Sequence, residues 1–199
     1  MKLINTKKAA MFGLDARIAL AIFGALSVIS GAALYSAIQD AKVTAIITEL
    51  NEVGKAYDQY YLDVGEELTL SGENFYLLNA ELFASSKAGW KGPYLSGAPR
   101  STVWTDKEYG FQELRDGTWN GITPTDRTEA RCTKTDISGS CAVWATVLLG
   151  ANKGDLARAI DLKVDGVVDG TTGNVRLMAN SGETGSWYVL LKQRISFRY

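Results

Sequence analysis

The chain has 199 residues, with 21 Lys+Arg against 22 Asp+Glu and a formal charge of −1. That length holds one domain, or one domain with an appendage, and 46% hydrophobic and 22% charged residues are ordinary for a globular protein. The charge balance disfavours a dedicated nucleic-acid binder, which carries a basic surplus. The complete lack of His excludes Ser-His-Asp and Cys-His catalysis, His-bearing zinc sites and His-based pH switching.

The apolar residues are unevenly distributed along the chain. Residues 1–13, MKLINTKKAAMFG, carry Lys2, Lys7 and Lys8 and no acid. Leu14, Asp15, Ala16 and Arg17 come next, and then residues 18–38 contain no charge. As a helix this stretch spans ~31 Å, the thickness of a bilayer core. The basic flank places the N-terminus in the cytoplasm and the remainder outside. Three readings are open: a secretory signal peptide, with Gly31, Ala32 and Ala33 as a small-residue cleavage site; a plain signal anchor; or the first half of a longer helix.

Residues 39–64 favour the third. No Pro interrupts them, and Val43, Ile46, Ile47, Leu50, Val53, Tyr57, Tyr60, Tyr61 and Val64 recur in steps of three and four, the pattern of one helix face. Gly65 is a natural C-terminal stop. One helix over residues 14–64 would be ~75 Å long, apolar all round at first and on one side afterwards. The second half calls for a domain that packs along it.

A short basic leader ending in Gly13, an apolar helix starting at once and an unbroken amphipathic extension together resemble type IV pilins and type II secretion pseudopilins. The resemblance implies a structural subunit rather than an enzyme. A prepilin peptidase would cut after Gly13, leaving Leu14 as the new N-terminus, often methylated. The subunit would wait in the inner membrane, single-pass with its N-terminus cytoplasmic. It would then polymerise with copies of itself, through the pilus or secretion assembly machinery, into a surface pilus or a periplasmic pseudopilus. The family usually carries Glu at the fifth mature position, where it neutralises a neighbour's amino terminus. Here that position is Ile18, as in some minor pseudopilins that lack the Glu. Two readings are open: Asp15 substitutes for it from a shifted position, with Arg17 needing a partner of its own or a lipid headgroup, or both are charges flanking the membrane interface. Small residues, including Gly24 and Gly31, suit close helix packing.

Residues 65–199 read as an α+β head, with the long helix packed on an antiparallel sheet of about four strands. Phe75, Leu78 and Leu82 suggest a helical turn. Trp90 to Tyr94, with Gly92 and Pro93 between the rings, matches an aromatic segment of the family and is expected to staple its loop to the sheet. Strands are expected over 102–105, 109–114, 118–122, 142–149, 175–178 and 187–197. Asp116-Gly117 reads as a hairpin turn, and Lys192, Gln193 and Arg194 mark the last strand as an edge. Residues 154–163 read as a helix, with Leu156, Ala159, Ile160 and Lys163 on one face. Cys132 and Cys141, flanking a Ser-Gly-Ser turn, suit a structural disulfide outside the cytoplasm.

The stretch 159–176, AIDLKVDGVVDGTTGNVR, resembles the late helix, Asp-Gly loop and strand of the same family. Its oxygen donors Asp165, Asp169, Thr171 and Asn174 have two possible uses. They could wrap Ca²⁺, as in the late loops of major pseudopilins, or their carboxylates could cap backbone N–H groups in a turn. The competing class is a membrane-anchored extracytoplasmic enzyme or binding domain that does not polymerise. Its candidate carboxylates are Asp106, Glu108, Glu113 and Asp116, which no spacing pairs.

Overall fold

The computed structural model describes residues 6–72, 75–132, 140–196 and 198, with side chains from Gly13 onward except Arg127. Lys2 of the leader, Ser138 and Gly139 of the expected turn, and Phe197 of the expected last strand lie outside the described residues. The fold is α+β: a long N-terminal helix packs on a four-stranded antiparallel sheet. Helix α1 runs from Thr6 to Val64 without a break, beginning ahead of Leu14. Ala9, Ala10 and Met11 are strong helix formers, and nothing before Gly13 stops the helix. It ends at Gly65, whose φ of 76° is left-handed and whose N–H donates to Tyr61 O at 2.8 Å. Contacts divide the chain into two compact units, with the boundary inside α1 between Lys42 and Val43.

In the unit from Val43 onward, the stripe read from the sequence is the buried one. Leu50, Tyr57 and Tyr60 are fully buried, and Val43, Val53 and Ala56 nearly so. They meet the inward side chains of the sheet, whose strands are β1 (Tyr109–Arg115), β2 (Cys141–Ala151), β3 (Val175–Glu183) and β4 (Ser186–Ile195). Phe111, Val143, Ala145, Val175, Val189 and Leu191 form this face, and the Tyr57 and Phe111 rings lie 5.0 Å apart. Two other helices flank the sheet: α2 (Pro124–Glu129) and α3 (Gly154–Asp165). The opposite face of the sheet, with Leu114, Ala142, Trp144 and Leu190, is covered by Phe75, Tyr76, Trp119 and Ala130 from the loops.

Strand order is β1-β2-β4-β3, antiparallel throughout. This corrects the expected edge position of β4, which is central. Lys192, Gln193 and Arg194 fit there because neighbouring elements supply what they need. Lys192 pairs with Asp116. Gln193 lies against Gly54, where α1 has no side chain. The Arg194 guanidinium stacks 3.8 Å from the Tyr61 ring centroid, with Glu67 3.6 Å away.

Two expected strands are absent. Residues 102–105 form bends, with one isolated bridge between Pro99 and Thr105. After Asp116-Gly117 the chain does not return as a strand over 118–122; β1 pairs with β2 instead. The segment leads into α2, whose Thr123 and Asp126 form a capping box with Pro124 in the first turn. The expected turn near Leu82 is a 3-10 helix, Asn79–Leu82. On α3 the buried residues are Gly154, Ala157, Ile160 and Asp161, so Lys163 faces outward.

Truncating Leu50 to Ala should cost ~2–5 kcal/mol. Leu62→Ala, on a side chain 81% exposed, should stay within ~0.5 kcal/mol. Denaturant unfolding of the full chain in detergent, followed by Trp fluorescence, compares the two.

Candidate functional site

The most unusual surface is that of α1 before Val43. From Leu14 to Ile38 its large apolar side chains are 44–73% exposed. Among the described residues this is the one helix long and apolar enough to cross a membrane. The exposure goes all round the helix, because apolar residues occupy every angular position. A Cβ added at Gly24 or Gly31 would meet nothing within 4 Å, so no contact inside the chain calls for glycine there. Ser27 turns its hydroxyl back onto Phe23 O at 2.8 Å, which satisfies its donor within the helix.

The two residues expected at a processing junction, Gly13 and Leu14, lie within the helix, and Leu14 is exposed. Asp15 and Arg17 are exposed on the same helix. Two residues apart, they point to nearly opposite sides, and neither has an ion-pair partner among the described residues.

The late loop brings its acids together around backbone amides. Buried Asp161, on α3, accepts from the N–H groups of Asp169 at 3.0 Å and Gly170 at 2.9 Å through Oδ2. Burial pushes its carboxyl above the usual range. Asp165 accepts from Asn174 N at 3.0 Å and Val175 N at 2.8 Å. Asp169 accepts from Thr171 N at 2.7 Å, Thr172 N at 2.8 Å and the Thr172 hydroxyl. Its pKa is lowered to about 2, first by the Thr172 hydroxyl and then by the two amides. Gly166 ends α3 at φ 76° and donates to Leu162 O at 3.0 Å. At Gly173 a Cβ would collide with the Asp165 carboxylate.

Each of the three Asp residues is thus a cap on the loop backbone. Amide hydrogens, the positive ends of their dipoles, meet the carboxylates of all three. Asn174 contributes its backbone N–H to this arrangement. Among the described residues no group of three or more acidic or Cys side chains is arranged to hold a metal. Asp165 and Asp169, with the backbone N–H of Asn174, are thus engaged in a capped turn.

Arg176 closes the motif from the other face of the sheet. It is buried between Trp144 and Trp119, 5.0 and 5.8 Å from their centroids. It donates to Gly173 O at 2.6 Å and to Asp116 O and Gly117 O at 3.3 Å. One cation thereby anchors both the late loop and the turn after β1.

The other singled-out groups are also fasteners. Cys132 and Cys141 form a disulfide, with Cα atoms 6.0 Å apart. Trp90 and Tyr94 hold their loop to the end of α1 and the 3-10 turn, and pack against the core under the sheet. Tyr94 OH donates to Asp63 Oδ2 at 3.0 Å, Trp90 Nε1 donates to Glu81 O at 2.9 Å, and the Tyr94 ring packs edge-on to Tyr60 at 5.9 Å. Glu81, which the sequence does not single out, gathers Tyr60 OH at 2.7 Å, Thr69 N at 3.3 Å and Lys87 Nζ at 3.1 Å. Burial pushes its carboxyl up, but these three donors outweigh it and hold the pKa below the usual range.

The four candidate catalytic carboxylates do not converge. Glu108 pairs with Arg100 at 2.7 Å and Asp116 with Lys192. Asp106 lies against Gly97. Glu113, buried, accepts from Ser196 and from Arg198 Nε at 2.9 Å, and burial raises its pKa. Its partners lie more than 80 positions away, a separation no local pattern signals.

Comparison with family models, with curated proteins and with solved structures finds no match for the chain.

Asp169 has a depressed folded pKa, so its stabilisation of the head is fully present above the unfolded value near 4 and is lost as pH falls toward about 2. Asp169→Asn should remove that part of the acid-side slope in unfolding titrations, and millimolar Ca²⁺ should leave the unfolding midpoint unchanged. Reducing the Cys132–Cys141 bridge should cost roughly 2.5–3 kcal/mol on the chain-entropy model, read as a lower midpoint in dithiothreitol.

Proposed function

We propose that this chain is a structural subunit of a type IV pilus or type II secretion pseudopilus, held in the inner membrane through α1 until it polymerises. The observation that carries the reading is the continuity of α1. A charge-free stretch exposed on every side runs without a break into a half whose stripe is buried on the sheet. The first half needs lipid or other apolar helices around it. A simple anchor needs no helical continuation into its domain, whereas a subunit that carries its head into a filament does.

The polar groups of the head support the same reading. Asp161, Asp165, Asp169, Glu81, Glu113 and Arg176 are each occupied with holding loops. In this reading the basic leader keeps the N-terminus in the cytoplasm, a prepilin peptidase cuts after Gly13, and lipid is exchanged for helices of other copies. Asp15 is the acid nearest the new amino terminus at Leu14.

N-terminal sequencing of the membrane-extracted protein tests the proposal. The mature chain should begin at Leu14, and Gly13→Asp should leave the leader in place. An uncut chain beginning at Met1, found only as dispersed membrane protein, would favour an anchored domain that does not polymerise.

A further inference from the structure

Resting on that polymerisation reading, we infer that Arg17 of one copy pairs with Asp40 of a second copy, parallel to the first and displaced along the helix axis by 23 residues, ~35 Å. Both side chains are exposed, and they bracket residues 18–39, which contain no charge. The helix between them is continuous, so their spacing is fixed by helical geometry.

Copies sharing one membrane orientation pack in parallel. When their apolar stretches leave lipid and meet, a guanidinium facing a neighbour's charge-free stretch is an unpaired charge in apolar surroundings, which is costly. Most displacements do this to Arg17. Up to 23 residues, two avoid it: almost none, which sets like beside like, and about 23, which first sets Arg17 level with an acid, Asp40. Only the second advances the assembly along the helix axis.

The angular positions agree with this choice. At ~100° per residue, 23 residues place Arg17 and Asp40 ~140° apart around the helix. Each chain therefore offers Arg17 to one neighbour and Asp40 to another. That contact is heterologous and repeats without closing, as an open helical assembly requires. Asp40 also has a contact within its own chain, and a carboxylate has acceptor sites for more than one donor.

Charge exchange in filaments of the full chain tests the pairing. Arg17→Glu and Asp40→Arg, made singly, should each lower the amount of assembled chain roughly tenfold or more, and the combined variant should largely recover it. Cysteine exchange reads the register directly and also covers the case of a reversed chain that fails to insert. Filaments mixing chains with only Arg17→Cys and chains with only Asp40→Cys should give a disulfide-linked dimer on mild oxidation, and neither chain alone should. Normal wild-type filaments with neutral single reversals, or with no recovery in the combined variant and no mixed dimer, would overturn the pairing and leave the polymerisation reading standing. A wild-type chain that never assembles would overturn both.

Discussion

Helix α1 has to satisfy two different surroundings with one unbroken backbone. Its hydrogen bonds are internal from Thr6 to Val64, so the backbone needs nothing from outside except at its ends. The side chains decide the rest. From Ile18 to Ile38 they are apolar on every side and exposed; from Val43 onward they are buried on one side only. An apolar surface of that extent is unstable in water, so the chain depends on lipid or on other helices.

The head meets a different constraint. Long connections cover one face of its sheet, and their backbone groups need partners. The chain satisfies them with acidic side chains. Asp161, Asp165 and Asp169 cap the turning backbone between Asp169 and Val175, and Arg176 ties the same loop to the turn after β1. Glu81 and Glu113 do the equivalent work at the end of α1 and near the C-terminus. Acids gathered in this way resemble a ligand set or a catalytic cluster when read along the chain. In three dimensions each one points at a donor of its own.

Much of the fold was legible because it rests on local periodicity. The stripe from Val43 to Val64, the buried run of β2 and the helix after Gly154 announce themselves in steps of three and four or as a continuous apolar strand. The Cys132–Cys141 bridge was legible because the chain has two cysteines, either side of a turn in a segment read as outside the cytoplasm. The position of β4 was not. Lys192, Gln193 and Arg194 look like an edge in isolation, and only Asp116, Gly54, Tyr61 and Glu67, far away in sequence, make a central position tolerable. The segment after Asp116-Gly117 misled in another way. A hairpin was expected where Thr123, Pro124 and Asp126 open a short helix, because the dipeptide signals a change of direction but not the element that comes after it. Likewise, the Trp90–Tyr94 segment was recognisable as an anchor, while its attachment to Asp63 and Glu81 depended on where α1 ends.

Residue type and period along the chain suffice to establish that one long helix is apolar all round and then amphipathic, that the head is α+β, and that the chain carries no histidine chemistry. Neighbours in sequence set those properties without help from distant segments. The strand order, the partners of the buried charges and the use of the late carboxylates as caps were decided only in three dimensions. Each of those depends on groups that meet only after distant segments fold together, where a buried charge or amide must find its partner or cost stability.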